Sequence, residues 1–216
     1  MEDNYRHQGM RKKLVEELRT RGIPEDVLKA MGEVPRHCFL ENAFLELAYQ
    51  DRALQIGAGQ TISRPYTVAF QTELLELKKG DKVLEIGTGC GYQTAVLLTM
   101  GAKVFTIERQ KLLFDKTQKH LPLLGFHPKF FYGDGYKGLP SFAPFDKIIV
   151  TAGAPIIPDD LILQLKPGGV LVIPVGPEDV FTMHKLVKMA DGSLQETLHG
   201  TFRFVPMLEE KEWGKR

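Results

Sequence analysis

Three glycines at alternate positions, Gly87, Gly89 and Gly91, separate the apolar run 83–86 from a second one at 95–98. A strand that feeds a glycine turn and then a helix is how open α/β sheets build a ligand crevice. Glycine takes positive φ there and lets a ligand approach the backbone, while the helix start offers free N–H groups and a partial positive charge. The spacing is G-x-G-x-G, and Tyr92 stands where the dinucleotide fingerprint G-x-G-x-x-G places its last glycine. A bulky aromatic at that point argues against the close helix–strand packing of dinucleotide sites. No Lys-Ser/Thr pair follows to grip a phosphate. The residues therefore describe either a small-molecule site without a pyrophosphate or a tight turn that holds nothing.

Residues 103–108 read as the next strand and end on Glu108, 17 positions after Gly91. That is close to the separation of roughly 20 at which a ribose-binding acid is expected. A carboxylate accepts both hydroxyl protons of a ribose diol, and a ligand without phosphate leaves its charge tolerable. Turn and acid together favour adenosine binding over an ordinary surface glutamate. S-adenosyl-L-methionine, with S-adenosyl-L-homocysteine as its product, suits the pair better than NAD. At the end of a third strand, 129–132, Gly133-Asp134-Gly135 reads equally as a loop whose Asp134 accepts from an adenine amine or as a plain Asp-Gly turn.

The elements that must position these groups follow from periodicity and turn signals. Met10, Leu14, Val15 and Leu18 recur at helical spacing up to Gly22, and Pro24-Glu25-Asp26 starts a second helix. Residues 34–49 show no single period, and 51–66, with two glycines and a proline, read as a loop. Ser63 or Arg64 could cap the helix that Pro65 opens, so on the residues alone Ser63 reads as a helix-start residue more readily than as a catalytic one. Strands at 103–108, 129–132, 145–151 and 170–174 alternate with helices at 111–124 and 158–165, with 166–169 as a turn. This alternation predicts a parallel sheet with right-handed crossovers. The segments 183–189 and 194–204 read as a hairpin pivoting on Asp191-Gly192.

Composition sets the outer limits. The 216 residues suit one domain, and a net charge of +1 gives no global pull toward nucleic acid or membrane. No run approaches the ~18 apolar residues of a membrane span, and the N-terminus has no signal-peptide core. Cys38 and Cys90 are too few for a disulfide framework, and six histidines form no ligand pattern. The expectation is a cytoplasmic, metal-free, monomeric protein.

The chain closely resembles the protein-L-isoaspartate O-methyltransferase family. The resemblance is carried by Asp51-Arg52-Ala53-Leu54, Gly59-Gln60-Thr61-Ile62-Ser63 with Pro65-Tyr66, the glycine turn 83–95, Gly133-Asp134-Gly135, Thr151-Ala152, 165–169 and Phe204-Val205-Pro206. It spans nearly the whole chain, and the segment at 59–66 is its most specific part. It implies an α/β fold: a doubly wound, mainly parallel seven-stranded Rossmann-like methyltransferase sheet. An antiparallel C-terminal hairpin and an N-terminal helical cap complete it. Within one domain, 1–50 would be the cap, 51–66 a substrate and cofactor loop, 67–180 the cofactor-binding core, and 181–216 the hairpin and tail. It also overturns the first reading of Ser63, which falls on the family's active-site hydroxyl. Thr61, Ile62, Gly87, Thr88, Gly89, Gly91, Tyr92, Glu108, Arg109, Asp134 and Gly135 fall on cofactor positions. Ser63, Arg64, Pro65, Tyr66 and Val205 fall along the substrate groove. The sequence departs from the family at Cys90, often Ser there, and at Met207-Leu208 and the charged stretch 209–212.

The implied activity is methyl transfer from S-adenosyl-L-methionine to the free α-carboxylate of L-isoaspartyl residues, with damaged peptides and proteins as partners. The alternatives are a methyltransferase for another carboxylate or small molecule, and a protein that binds the cofactor without turnover.

Overall fold

The alternating apolar strands assemble as expected, and their C-terminal ends define where a ligand can sit. The computed structural model describes residues 3–177 and 180–212; the last four positions of the expected tail, 213–216, lie outside the described residues. The main sheet comprises β3 (Lys82–Ile86), β4 (Lys103–Glu108), β5 (Lys129–Tyr132), β6 (Phe145–Val150), β7 (Leu165–Val175), β8 (Val180–Lys188) and β9 (Leu194–Arg203) in the order β5-β4-β3-β6-β7-β8-β9. Strands β3 to β7 are parallel, and β8 pairs antiparallel with both β7 and β9. The order reverses between β3 and β6, so the crevice of an open α/β sheet falls beyond Ile86 and Val150.

Side-chain alternation sorts the core. Leu84, Ile86, Ile148, Val150, Leu171 and Ile173 face α6 (Asp159–Gln164), whereas Val83, Val104, Ile149, Val170 and Val172 face α3 (Pro65–Leu74) and α4 (Tyr92–Thr99). Each such fully buried aliphatic side chain stabilises the fold by roughly 1.5–3 kcal/mol. The N-terminal helices α1 (Tyr5–Thr20) and α2 (Glu25–Glu33), with 3-10 turns at Arg36–Phe39 and Asn42–Leu47, share a third cluster with α4 and α5 (Lys111–Leu123). Among the described residues no helix is long and apolar enough to cross a membrane.

Two readings need correction. The segment 51–66 is not an irregular loop: it forms an antiparallel hairpin of β1 (Leu54–Gly57) and β2 (Gln60–Ile62). Ala58 and Gly59, both with positive φ, make its two-residue turn, the hairpin geometry usually signalled by Asn-Gly. The Lys-Pro-Gly-Gly stretch does not precede β7 but lies within it. Phe145 pairs with Leu165 and Lys147 with Val170, so the extra residues bulge out of the ladder. Gly91, at the start of α4, lies close against α5: an added Cβ there would lie 2.7 Å from a Leu121 methyl. Tyr92 packs edge-on against Phe39 of the N-terminal cap.

Glu85 of β3 is fully buried on the α4 side, accepting from Thr94 Oγ1 at 2.5 Å, with its other oxygen unpaired. Burial pushes its carboxyl up to about 7 from the ordinary 4.5, against the opposing hydrogen bond from Thr94. The unfolded chain thus ionises this group at lower pH than the folded one, and its contribution to stability falls as pH rises from about 4.5 to about 7. At about 1.4 kcal/mol per pH unit, Glu85→Gln should remove a loss of roughly 3 kcal/mol across that window. Urea unfolding of both proteins from pH 4.5 to 8 checks this; parallel pH profiles would rule Glu85 out as the source.

Candidate active site

Three hollows converge on the C-terminal edge of β3 and β6. The first is a crevice walled by Gly87, Gly89, Glu108, Gly135 and the chain segment Val205–Leu208. The second is a cleft between Ser63, Ile62, Thr88, Tyr92 and Gln93. The third is a groove between Ser63, Arg64, Tyr66 and Phe70 on one side and Gly200–Val205 on the other. Thr61 and Thr151 line all three, and Ser63 lines the cleft and the groove. A molecule lying in the crevice and another in the groove would therefore meet beside these residues.

Thr151 builds the floor. Its Oγ1 donates within reach of two carbonyls, Ile86 at 2.9 Å and Gly87 at 2.7 Å, which ties the end of β6 to the turn after β3. An added Cβ on Gly87 would lie 2.5 Å from that hydroxyl, and Gly87 has φ +96°. No other residue type fits there.

The buried carboxylate of Glu108 faces the crevice and accepts from the amides of Gly89 and Gln110, each at 2.8 Å. Burial pushes its pKa above the usual carboxylate range, and the amides of Gln110, Gly89 and Arg109 counter part of that. A carboxylate offers about four lone-pair sites, so acceptor capacity remains for a diol. Arg109 lines the crevice, yet its guanidinium is spent on the chain's end: it donates to the carbonyls of Glu210 and Glu209 and pairs with Glu212 at 3.2 Å. The crevice thus presents an acceptor and backbone groups, and among the described residues that line it no cation is free for a phosphate.

The groove is organised by a residue that sequence reading quoted but gave no role. Asp51 accepts from the Tyr66 amide at the start of α3 (2.9 Å), and its other oxygen accepts from Arg64 (2.7 Å) and Arg21 (2.8 Å). Burial alone would raise this carboxyl, but the Tyr66 amide and the two arginines hold it below the usual range. The cap of α3 is therefore supplied from 15 residues upstream. Arg64 occupies the cap position but its side chain makes no capping bond to the helix, and Pro65 is the first helical residue. Arg21 stacks 3.3 Å above the Tyr66 ring.

Several predicted site residues lie elsewhere. Asp134 turns Oδ1 onto the Tyr136 amide at 2.9 Å and caps a 3-10 turn, while its neighbour Gly135 lines the crevice. Gly91 starts α4 away from all three hollows, and Tyr92 and Thr88 border only the cleft. Thr88 directs its hydroxyl at Thr106, 2.7 Å away. Thr151 was overlooked as a site residue, although its place one residue past the strand beside β3 marks it. Arg36 carried no sequence signal.

A family model described as protein-L-isoaspartate(D-aspartate) O-methyltransferase matches residues 9–212. The chain belongs to this family. A protein-L-isoaspartate O-methyltransferase of Christiangramia forsetii is 57% identical over 98% of this chain and its own full length. One from Cytophaga hutchinsonii is 54% identical over all of this chain and 98% of its own. Among solved structures, a protein-L-isoaspartate O-methyltransferase superposes with TM-score 0.83 at 31% identity, covering 91% of this chain and 65% of that one. A Plasmodium falciparum structure, described as the same kind of enzyme in complex with S-adenosyl-L-homocysteine, gives TM-score 0.80 at 26% identity, covering 92% and 98%. Family membership and the seven-stranded sheet with its C-terminal hairpin thus agree.

Asp51→Ala would leave the Tyr66 amide uncapped and two arginines without their shared partner. Loss of a cap is worth about 1 kcal/mol and a hydrogen bond to a charged group about 1.5–3 kcal/mol. A destabilisation of roughly 2 kcal/mol should appear in denaturant unfolding, with the m-value unchanged.

Proposed function

We propose that this chain transfers a methyl group from S-adenosyl-L-methionine to the free α-carboxylate of L-isoaspartyl residues in damaged proteins and peptides, initiating repair. The observation that carries the reading is the meeting of crevice and groove at Thr61 and Thr151 beside Ser63. In this reading the crevice takes the cofactor. Its residues fit that molecule, since Glu108 offers acceptor sites for a ribose diol and, among the described residues lining the crevice, no cation is free for a phosphate. Pro206, Met207 and Leu208 line it. The bound cofactor supplies an electrophilic methyl group on a sulfonium.

The groove takes the peptide, with its backbone along Arg64, Pro65, Tyr66 and Val205. The substrate carboxylate is already ionised at neutral pH, so the chain needs no general base. What the protein contributes is placement, worth roughly 7–11 kcal/mol when geometry is good. Ser63 donates its hydroxyl to one carboxylate oxygen and so replaces water lost on entry; no hydrogen bond among the described residues engages that hydroxyl. The serine orients and does not attack. The protein acts as a monomer in the cytoplasm, without metal, nucleic acid or membrane.

Two measurements test the assignment. A hydrogen bond to a charged group is worth about 1.5–3 kcal/mol, so Glu108→Ala should weaken S-adenosyl-L-homocysteine binding roughly tenfold to a hundredfold by calorimetry. Unchanged affinity would move the ribose away from Glu108.

The second compares two peptides that differ in one linkage. In an isoaspartyl residue the free carboxylate hangs directly from Cα; in a normal aspartate it sits one methylene further out. Misplacement by about 1 Å can lower a rate on the order of a hundredfold, so the isoaspartyl peptide should be methylated at least that much faster. Equal rates would point to a general carboxyl methyltransferase.

A further inference from the structure

Arg36 is fully buried, yet among the described residues no carboxylate lies within ion-pair distance of it. Its guanidinium is solvated by the backbone. Nε donates to the Ala48 carbonyl at 2.9 Å, and Nη2 donates to Ser63 O at 2.8 Å and reaches Arg52 O at 3.5 Å. The cation lies 4.8 Å from the centre of the Tyr92 ring, while Nη1 is buried without a partner. A buried charge without a counter-ion and a buried N–H without an acceptor both oppose folding, and such groups call for an explanation. Packing alone would be served by an apolar side chain of the same volume.

The contacts of Arg36 supply that explanation. The three carbonyls flank the β1–β2 hairpin at both ends, with Ala48 and Arg52 before β1 and Ser63 just after β2. The fork geometry of a guanidinium, five donors in one plane, can hold several acceptors in fixed relative positions. Tyr92, on which the cation rests, opens α4 directly after the glycine turn. Ser63 and Tyr92 both line the cleft beneath the junction of crevice and groove, with Arg36 behind that wall.

We infer that Arg36 is a positioning residue for the methyl transfer proposed above, fixing the Ser63 main chain against the glycine turn so that the Ser63 hydroxyl meets the substrate carboxylate. It acts through Ser63 and touches neither substrate nor cofactor. Replacing it frees the Ser63 carbonyl, and a displacement of about 1 Å at Ser63 lowers turnover on the order of a hundredfold. The crevice residues Glu108, Gly87 and Gly135 do not touch Arg36, so cofactor affinity stays at its wild-type value.

The test is a double-mutant cycle on kcat with an isoaspartyl peptide, using Arg36→Leu, Ser63→Ala and the double variant, with S-adenosyl-L-homocysteine binding as the check on folding. If Arg36 works through Ser63, the double variant is no slower than Ser63→Ala alone, because the losses of coupled residues do not add. A purely structural role would lower the unfolding temperature yet leave kcat of the folded protein unchanged. Should Arg36→Leu fail to bind S-adenosyl-L-homocysteine, Arg36→Lys takes its place in the cycle, since it keeps the charge but loses the fork. The expected result with either is a kcat loss that vanishes in the Ser63→Ala background. Additive losses, or wild-type kcat in a folded variant, overturn the inference. Wild-type protein that binds S-adenosyl-L-homocysteine but leaves the peptide unmethylated overturns the function itself, and the inference falls with it.

Discussion

The site depends on one steric constraint, the missing side chain of Gly87. Because that residue has no Cβ, the Thr151 hydroxyl can sit 2.5 Å from where one would be and bind the carbonyls of Ile86 and Gly87 together. The ends of β3 and β6 are thereby closed into one floor at the point where the strand order reverses. Everything placed by these strand ends inherits the fixed geometry: the turn to Gly89, the Glu108 carboxylate on that turn's amide, and Val205, whose carbonyl accepts from Gly153 just beyond β6. A side chain at position 87 would separate crevice from groove, whatever other residues were kept.

Electrostatics then selects what the crevice accepts. Glycine turns at helix starts are general anion sites, and nothing in the turn itself excludes a phosphate. Exclusion comes from its surroundings. Glu108 already occupies the Gly89 amide with negative charge, and the neighbouring cation Arg109 is drawn away by Glu212 and by two carbonyls of the chain's last described stretch. That stretch is the charged run 209–212. It turns an arginine beside the crevice into a clamp on the end of the segment that lines it. Tyr132 strengthens the clamp by donating to the Glu212 carbonyl at 3.0 Å.

Local signals made much of this legible. The β4 and β5 boundaries were readable to the residue, because each is a short apolar run bounded by turn residues. The hairpin on Asp191-Gly192 announced itself by its turn. Gly87, Gly89, Glu108, Gly135, Thr61 and Val205 were singled out and do line one crevice. What was not readable depends on partners distant in sequence. Asp51 caps a helix 15 residues on, and the turn of the β1–β2 hairpin uses Ala58 at positive φ, a position where Asn or Gly is the usual signal. Asp134, which reads equally as a ligand group or a turn residue, spends one oxygen on the turn. Arg36 was not singled out, because nothing near it in sequence shows that three carbonyls and an aromatic ring enclose it.

The enclosure of Arg36 suits the charge balance of the proposed reaction. Substrate carboxylate and sulfonium enter with opposite charges, and both charges disappear as the methyl moves. A cation in direct contact with the carboxylate would stabilise the charged ground state more than the transition state, and an interaction of that kind slows the chemical step. A neutral hydroxyl such as Ser63 can orient the carboxylate with a weaker hold on its charge. The protein nevertheless needs a rigid multi-point anchor at this spot, and a guanidinium is the side chain with enough donors to bridge Ala48, Arg52 and Ser63. Facing the guanidinium toward three carbonyls and the Tyr92 ring spends its donors on the scaffold. The charge stays one layer behind the reacting groups, where it can fix the Ser63 loop without pairing with the nucleophile.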